Sequence, residues 1–207
     1  MSYPDFFAAV PGIILRDPLA ECLGAADKGL IEYGYTDAVK LAGHSCPTVA
    51  GAYLMTLRAL ASLYPGSTPE RGGIRLESSA AAADGTAGVT AAVAGLLTGA
   101  AGEGGFKGLG GRFSRRNRLV FAADVDGELR YTRLDTGARV TARYHPEVVP
   151  PPPELQALMP GIVGGSANDE DRAAFGPLWQ MRVKRILIDH FDDPELVVCR
   201  HEVGVGS

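Results

Sequence analysis

The strongest periodic signal in the chain runs over residues 47–64, where Val49, Tyr53, Leu57, Leu60 and Tyr64 recur at intervals of three and four. That spacing predicts a helix with an apolar stripe, and the alanines and Gly51 on its other faces predict close packing on all sides. Pro65-Gly66-Ser67-Thr68-Pro69 ends it with turn geometry and missing amide donors. Upstream, residues 6–10, 17–25 and 36–42 read as short helices. Downstream, Gly73-Ile74-Arg75-Leu76-Glu77-Ser78 alternates apolar and polar side chains, as a strand with one face on a core does. An alanine-rich helix is predicted over residues 87–97, followed by a glycine cluster over residues 99–111. Strands are predicted over residues 117–122 and 129–134, joined as a hairpin by Asp124-Val125-Asp126-Gly127. A third strand over residues 138–144 follows the Asp135-Thr136-Gly137 turn.

These elements predict an α+β fold: a small, mostly antiparallel sheet packed against helices, with a C-terminal helical arm. The proline run at residues 150–153 cannot continue a strand. It divides the chain into residues 1–149, an α+β domain with N-terminal helices, and residues 150–207, a proline-rich linker and the arm. The arm reads as a short helix over residues 154–159, a polar turn over residues 164–169 and a longer helix over residues 171–190. Phe175, Leu178, Trp179, Val183, Ile186 and Leu187 form a one-sided stripe along it, suited to docking or dimerisation. No internal repeat is visible.

Composition narrows the function classes. With 207 residues and 46% hydrophobic content the chain can bury a core. A net charge of -4 provides no basic field, so nucleic acid is not expected as a partner. No apolar run reaches the roughly 20 residues of a membrane span, and no secretory signal opens the chain. A cytoplasmic protein is the expectation. Its three cysteines, Cys22, Cys46 and Cys199, suit reduced thiols better than a disulfide framework.

The chemistry concentrates in Gly43-His44-Ser45-Cys46-Pro47, at the start of the strongest helix. Proline suits the first helical position, which places Cys46 at the N-cap. There the unpaired amides and the positive end of the helix dipole favour a thiolate, both a metal ligand and a nucleophile. His44 is close enough to share a metal with Cys46 or to act as its base. The plainer fate of such a pair is a buried apolar cysteine beside a hydrogen-bonded loop histidine.

This motif, with its small-residue helix and the later Leu97-Thr98-Gly99 step opening a glycine-rich stretch, resembles the FmdE family, named after a component of formylmethanofuran dehydrogenase. The resemblance covers roughly residues 36–145, judged by motif order. It implies an α+β domain that forms homodimers and binds a metal, usually zinc, at His44 and Cys46. The family often has a cysteine near the start of its second helix, where this chain has Gly88, Val89 and Thr90. Many members also end in a Cys-rich zinc ribbon, which has no counterpart after Pro153 here.

Two ligands do not complete a zinc shell, so further donors are needed. His145 is the first candidate, with Cys199 and His201 next, although a loose terminal tail is the simpler reading of those two. The glycine cluster is either a mobile loop or an anion-binding one, with Gly99, Gly102, Gly104, Gly105 and Lys107 as ligand contacts and Arg112, Arg115 and Arg116 adding charge. The reading is a zinc-binding protein acting on a small-molecule ligand, whether or not as an enzyme. As an enzyme it would use Cys46 and His44 catalytically and His145 or a carboxylate such as Asp37 to move protons. The alternatives are a metal-free thiol enzyme with Cys46 as nucleophile, a haem or iron protein with Cys46 or His44 as axial ligand, and a structural metal site. Cys22 is expected to pack in the core, and His190 to complement a helix C-terminus.

Overall fold

The computed structural model describes residues 3–202. Helix α3, Pro47–Leu63, is the axis of the fold, and Val49, Tyr53, Leu54, Met55, Ala59 and Leu60 along it are all fully buried. Its packing partners surround it: α2 (Tyr35–Ala42), α4 (Ala87–Thr98) and one face of a sheet. The sheet has five strands, β3 (Ile74–Ser78), β4 (Leu119–Val120), β5 (Leu129–Arg133), β6 (Arg139–Tyr144) and β7 (Val197–Glu202), in the order β4-β3-β5-β6-β7. Among the described residues only the β3–β4 strand pair of this sheet is parallel. Ile74, Leu76, Leu129, Tyr131, Val140 and Ala142 form the inner face, while Arg75, Glu77, Arg130 and Arg139 line the outer one in a network of ion pairs. The fold is therefore mixed α+β, and among the described residues no helix is long and apolar enough to cross a membrane.

Several local expectations need correction. The segment before α2 contains, besides a short 3-10 turn at Asp5–Ala9 and the brief α1 (Pro18–Cys22), an antiparallel pair, β1 (Ile13–Arg16) with β2 (Leu30–Tyr33). These strands bury only one residue, Leu15, so they carry almost no periodic signal. The predicted hairpin between residues 117–122 and 129–134 does not form, because β3 lies between β4 and β5. Gly127 has no left-handed backbone angle; its bareness instead permits close approach to β6, where a Cβ would sit 3.2 Å from the Ala142 carbonyl oxygen. The hairpin at Asp135-Thr136-Gly137 does form, joining β5 to β6.

After the prolines, α5 (Pro153–Val163) and α6 (Asp169–Lys184) make the helical arm. Asn168 starts α6 by accepting the Asp171 amide at 2.8 Å. Beyond Lys184 the helix widens into a π turn, Arg185–Asp189, and Val183, Ile186 and Leu187 enter the core. The C-terminal part of the apolar stripe, Trp179, Val183, Ile186 and Leu187, thus packs on this chain's own core. The segment read as a loose tail is β7, paired with β6 along six residues.

One contact sets how closely helix and sheet approach. The Tyr144 ring of β6 lies against Gly51 of α3, where an added Cβ would fall 2.4 Å from two ring carbons. Gly51→Ala should therefore force the ring aside and lower stability by about 1–3 kcal/mol, read as a lower urea midpoint at unchanged m-value. An unchanged midpoint would mean that the ring relocates at no cost.

Candidate functional site

Cys46 is the N-cap of α3, and its Sγ accepts the Val49 amide at 3.4 Å. Pro47 occupies the first helical position, as its fixed φ favours. The loop leading to it is held by Ser45. The Ser45 carbonyl accepts hydrogen bonds from Trp179 Nε1 at 3.0 Å and Gln180 Nε2 at 3.1 Å, both on α6. Its hydroxyl bonds Gln180 Oε1 at 3.0 Å and lies 2.9 Å from the Tyr35 hydroxyl of α2. His44 Nδ1 sits 3.0 Å from the Ala42 carbonyl oxygen. A carbonyl can only accept, so in the neutral ring Nδ1 is the protonated nitrogen and Nε2 has the lone pair.

Both side chains open on a cavity of about 640 Å³. Its walls come from the start of α3 (His44, Cys46, Pro47, Thr48), the start of α4 (Thr86, Thr90), the sheet (Glu128, Tyr144) and α6 (Trp179, Arg182). The N-termini of two buried helices face one space, so two positive dipole ends and the Arg182 guanidinium favour negative charge there. Glu128 opposes them from the other wall. Burial pushes its carboxyl above the ordinary value, against weaker opposing interactions with the Tyr144 amide and the Thr90 hydroxyl. Burial also raises the Tyr144 hydroxyl, beside Arg182 and Cys46. That hydroxyl is closed off from solvent and has no hydrogen-bond partner among the described residues, an uncommon state for a buried polar group.

The other candidate residues lie elsewhere. Strand alternation turns Tyr144 into this cavity and His145 away from it; His145 pairs with Glu147 at 2.9 Å and lines a separate cavity of about 180 Å³. Cys199 and His201 project toward the C-terminal half of α3, where His201 Nε2 lies 2.7 Å from Ser62 Oγ and burial raises the Cys199 thiol. Ser62 follows Cys46 by about 24 Å of helix. The glycine cluster sits beyond the C-terminus of α4, the end remote from the cavity: Gly99 caps that helix, and the Gly102 carbonyl accepts the Gly105 and Asn117 amides. Gly104 has open space beside it, and Lys107 is exposed. In this chain the loop does not reach His44 or Cys46. Asp37 caps the start of α2 by accepting the Gly34 amide at 3.0 Å. Cys22 is exposed rather than packed, because α1 is five residues long and buries none of them. His190 Nδ1 pairs with Asp193 at 2.7 Å.

Of the five candidate metal ligands, His44 and Cys46 alone share a cavity, and among the described residues no group of three or more His, Cys, Asp and Glu side chains is placed to hold a metal ion. Thr90, Glu128, Tyr144 and Arg182 are among the cavity residues that sequence reasoning passed over. The only available signal was strand parity, which selects Tyr144 over His145 once the inward-facing residues of β6 are known. Comparison with protein-family models and with curated proteins finds no match for the chain.

The raised Glu128 carboxyl has a pH consequence. It keeps its proton to higher pH in the folded chain than in the unfolded one, so the folded state loses relative stability as pH rises above the ordinary value of 4.5. Glu128→Gln removes the ionisation and retains the shape. The variant should melt above wild type at roughly pH 7, with the gap closing toward roughly pH 4. A gap independent of pH would contradict the assignment.

Proposed function

We propose that His44 and Cys46 are the protein half of an open transition-metal site, zinc being the first candidate, in a cavity that takes a small polar molecule. The FmdE-like reading of the motif belongs to the same proposal, as does the homodimer that this resemblance implies. The observation that carries it is the His44 Nδ1 contact with the Ala42 carbonyl, which leaves Nε2 of the neutral ring free as a ligand on a residue that lines the same cavity as Cys46. One thiol and one imidazole are one protein ligand short of the usual catalytic zinc shell of three, so in this proposal the remaining coordination falls to water or the guest. When bound, such an ion supplies a Lewis-acid position at which a carbonyl or a water is polarised.

The chain's own groups then have definite tasks. Trp179 and Gln180 fix the loop that carries both donors. Arg182 offers a cation to an anionic portion of the guest, and Glu128, whose carboxyl burial pushes above its ordinary value, is a group for proton exchange on the facing wall. The unpaired Tyr144 hydroxyl is a further polar group for a guest to satisfy after a small ring movement. A second reading, metal-free thiol chemistry at Cys46, is favoured by the two helix N-termini that converge there.

Elemental analysis and an absorption spectrum of the native protein, its Cys46→Ser variant and its His44→Ala variant separate these readings. Stoichiometric metal that is lost in both variants supports the open site, with alkylation of Cys46 slow until chelator is added. Metal-free protein whose Cys46 alkylates rapidly without chelator would overturn the metal reading and leave the thiol one. An intense visible band would instead point to haem or iron.

A further inference from the structure

At the other end of α4 lies a second cavity, of about 460 Å³, whose walls carry Arg16, Arg71, Arg112, Arg115 and Arg118. Three of these arginines have structural duties. Arg71 donates to the Leu96 carbonyl through Nε and Nη2, capping α4, and to Asp17 at 2.8 Å. Arg115 passes beside Gly72, where any Cβ would overlap its guanidinium, to reach the same Asp17 at 2.6 Å. Arg16 pairs with Glu21 at 2.5 Å and with Glu70 at 3.7 Å. Burial raises the Asp17 carboxyl, but the Arg71 hydrogen bond and the Arg115 charge outweigh it and hold the group below its ordinary value. Asp17 is thus an anion fully committed to two cations.

Arg112 and Arg118 are left over. Neither makes a salt bridge among the described residues: Arg112 lies over the Phe113 ring, 4.7 Å from its centroid, and Arg118 feels Glu70 only at longer range. Asp135, on the adjoining cavity that Arg118 also lines, is engaged by Arg133 at 2.5 Å. Five arginines thus line one concave space, and Asp17, Glu21 and Glu70 pair with three of them, which leaves an excess of positive charge. A specific loop geometry brings Arg112 there. Gly110 and Gly111 both have positive φ and make a tight reversal closed by two Leu109–Arg112 backbone hydrogen bonds of 2.9 Å. The next residue, Phe113, is held at a φ of 62°, an unfavourable angle for an aromatic residue, and lines the cavity.

We infer that this cavity is a binding site for a phosphate-type dianion, free or carried on a small molecule, with Arg112 and Arg118 as its principal ligands. Guanidinium forks match the oxygen geometry of phosphate, and an anion here relieves the repulsion among the five cations. The Phe113 ring gives a carried phosphate an apolar surface beside its charge. The site is separate from the His44–Cys46 cavity: the start of α4 opens on one and the end of α4 on the other, about 18 Å apart along that helix. Its occupancy does not depend on metal.

Titration calorimetry and thermal-shift measurements with inorganic phosphate and with phenyl phosphate test the assignment on the full chain. Saturable binding is expected for at least one of them, weakened roughly tenfold or more by Arg112→Ala with Arg118→Ala. Phenyl phosphate binding more tightly than inorganic phosphate would identify a carried phosphate as the ligand, and equal affinity a free one. Cys46→Ser should leave both affinities unchanged. The assignment fails if no saturation appears up to about 10 mM, if sodium chloride at equal ionic strength reproduces the shift, or if the doubly substituted chain, folded by circular dichroism, binds as wild type does.

Discussion

The parallel pairing of α3 and α4 is the constraint on which the rest of the molecule depends. Both helices are buried, and both open at their N-termini on the same cavity. Two aligned dipoles therefore stand side by side, with positive ends together at Cys46 and negative ends together at the opposite side. The chain answers each end with suitable chemistry. At the negative ends Arg133 donates to the Leu63 carbonyl of α3 and Arg71 to the Leu96 carbonyl of α4. At the positive ends a thiol caps one helix, and the facing carboxyl, Glu128, stands across the cavity from it. Burying a large apolar side chain is worth about 1.5–3 kcal/mol. The residues along α3 thus stabilise the arrangement that creates these charge requirements.

Such pairing explains which features were legible in the sequence. Helix α3 and its cap could be read because both signals are local: apolar residues at threes and fours, and a proline directly after Cys46. The β5–β6 hairpin is equally local, with Gly137 at a φ of 73° in its turn. Sheet order is not local. The run over residues 117–122 looks like half of a hairpin, yet the Ala101 carbonyl takes both the Arg118 and Leu119 amides and steers the chain alongside β3 in the same direction. Strand β7 was hidden for a related reason: its inward residues, Val197, Cys199 and His201, are not uniformly apolar, and the last is satisfied by Ser62.

The candidate site was half legible by the same rule. His44 and Cys46 share one short loop, so spacing sufficed. Tyr144 and Glu128 join them only through the sheet, and the polar neighbour that sequence reasoning favoured, His145, is on the wrong side of its strand. The glycine cluster was recognised as able to serve an anion, but its location depended on the direction of α4. That helix carries it to the end where the arginines gather.

The segment beyond the proline run has a larger part in the site than its helical pattern indicates. Trp179, Gln180 and Arg182 lie within about one turn of α6; the first two bond Ser45, between His44 and Cys46, and the third lines the cavity. Arg182 is itself tied down by the Val149 carbonyl at 2.8 Å and the Pro146 carbonyl at 3.1 Å, immediately before the prolines. The prolines stiffen the path between these carbonyls and α5, and the π turn after Lys184 lets Ile186 and Leu187 reach the core. Each device fixes the register of α6 over the His44–Cys46 loop. The His44 and Cys46 side chains depend on such a clamp, because neither has a side-chain hydrogen-bond partner among the described residues: Cys46 is positioned by one amide and His44 by one carbonyl. Preorganisation of the pair thus rests on Ser45, the residue of the motif that carries no chemistry of its own.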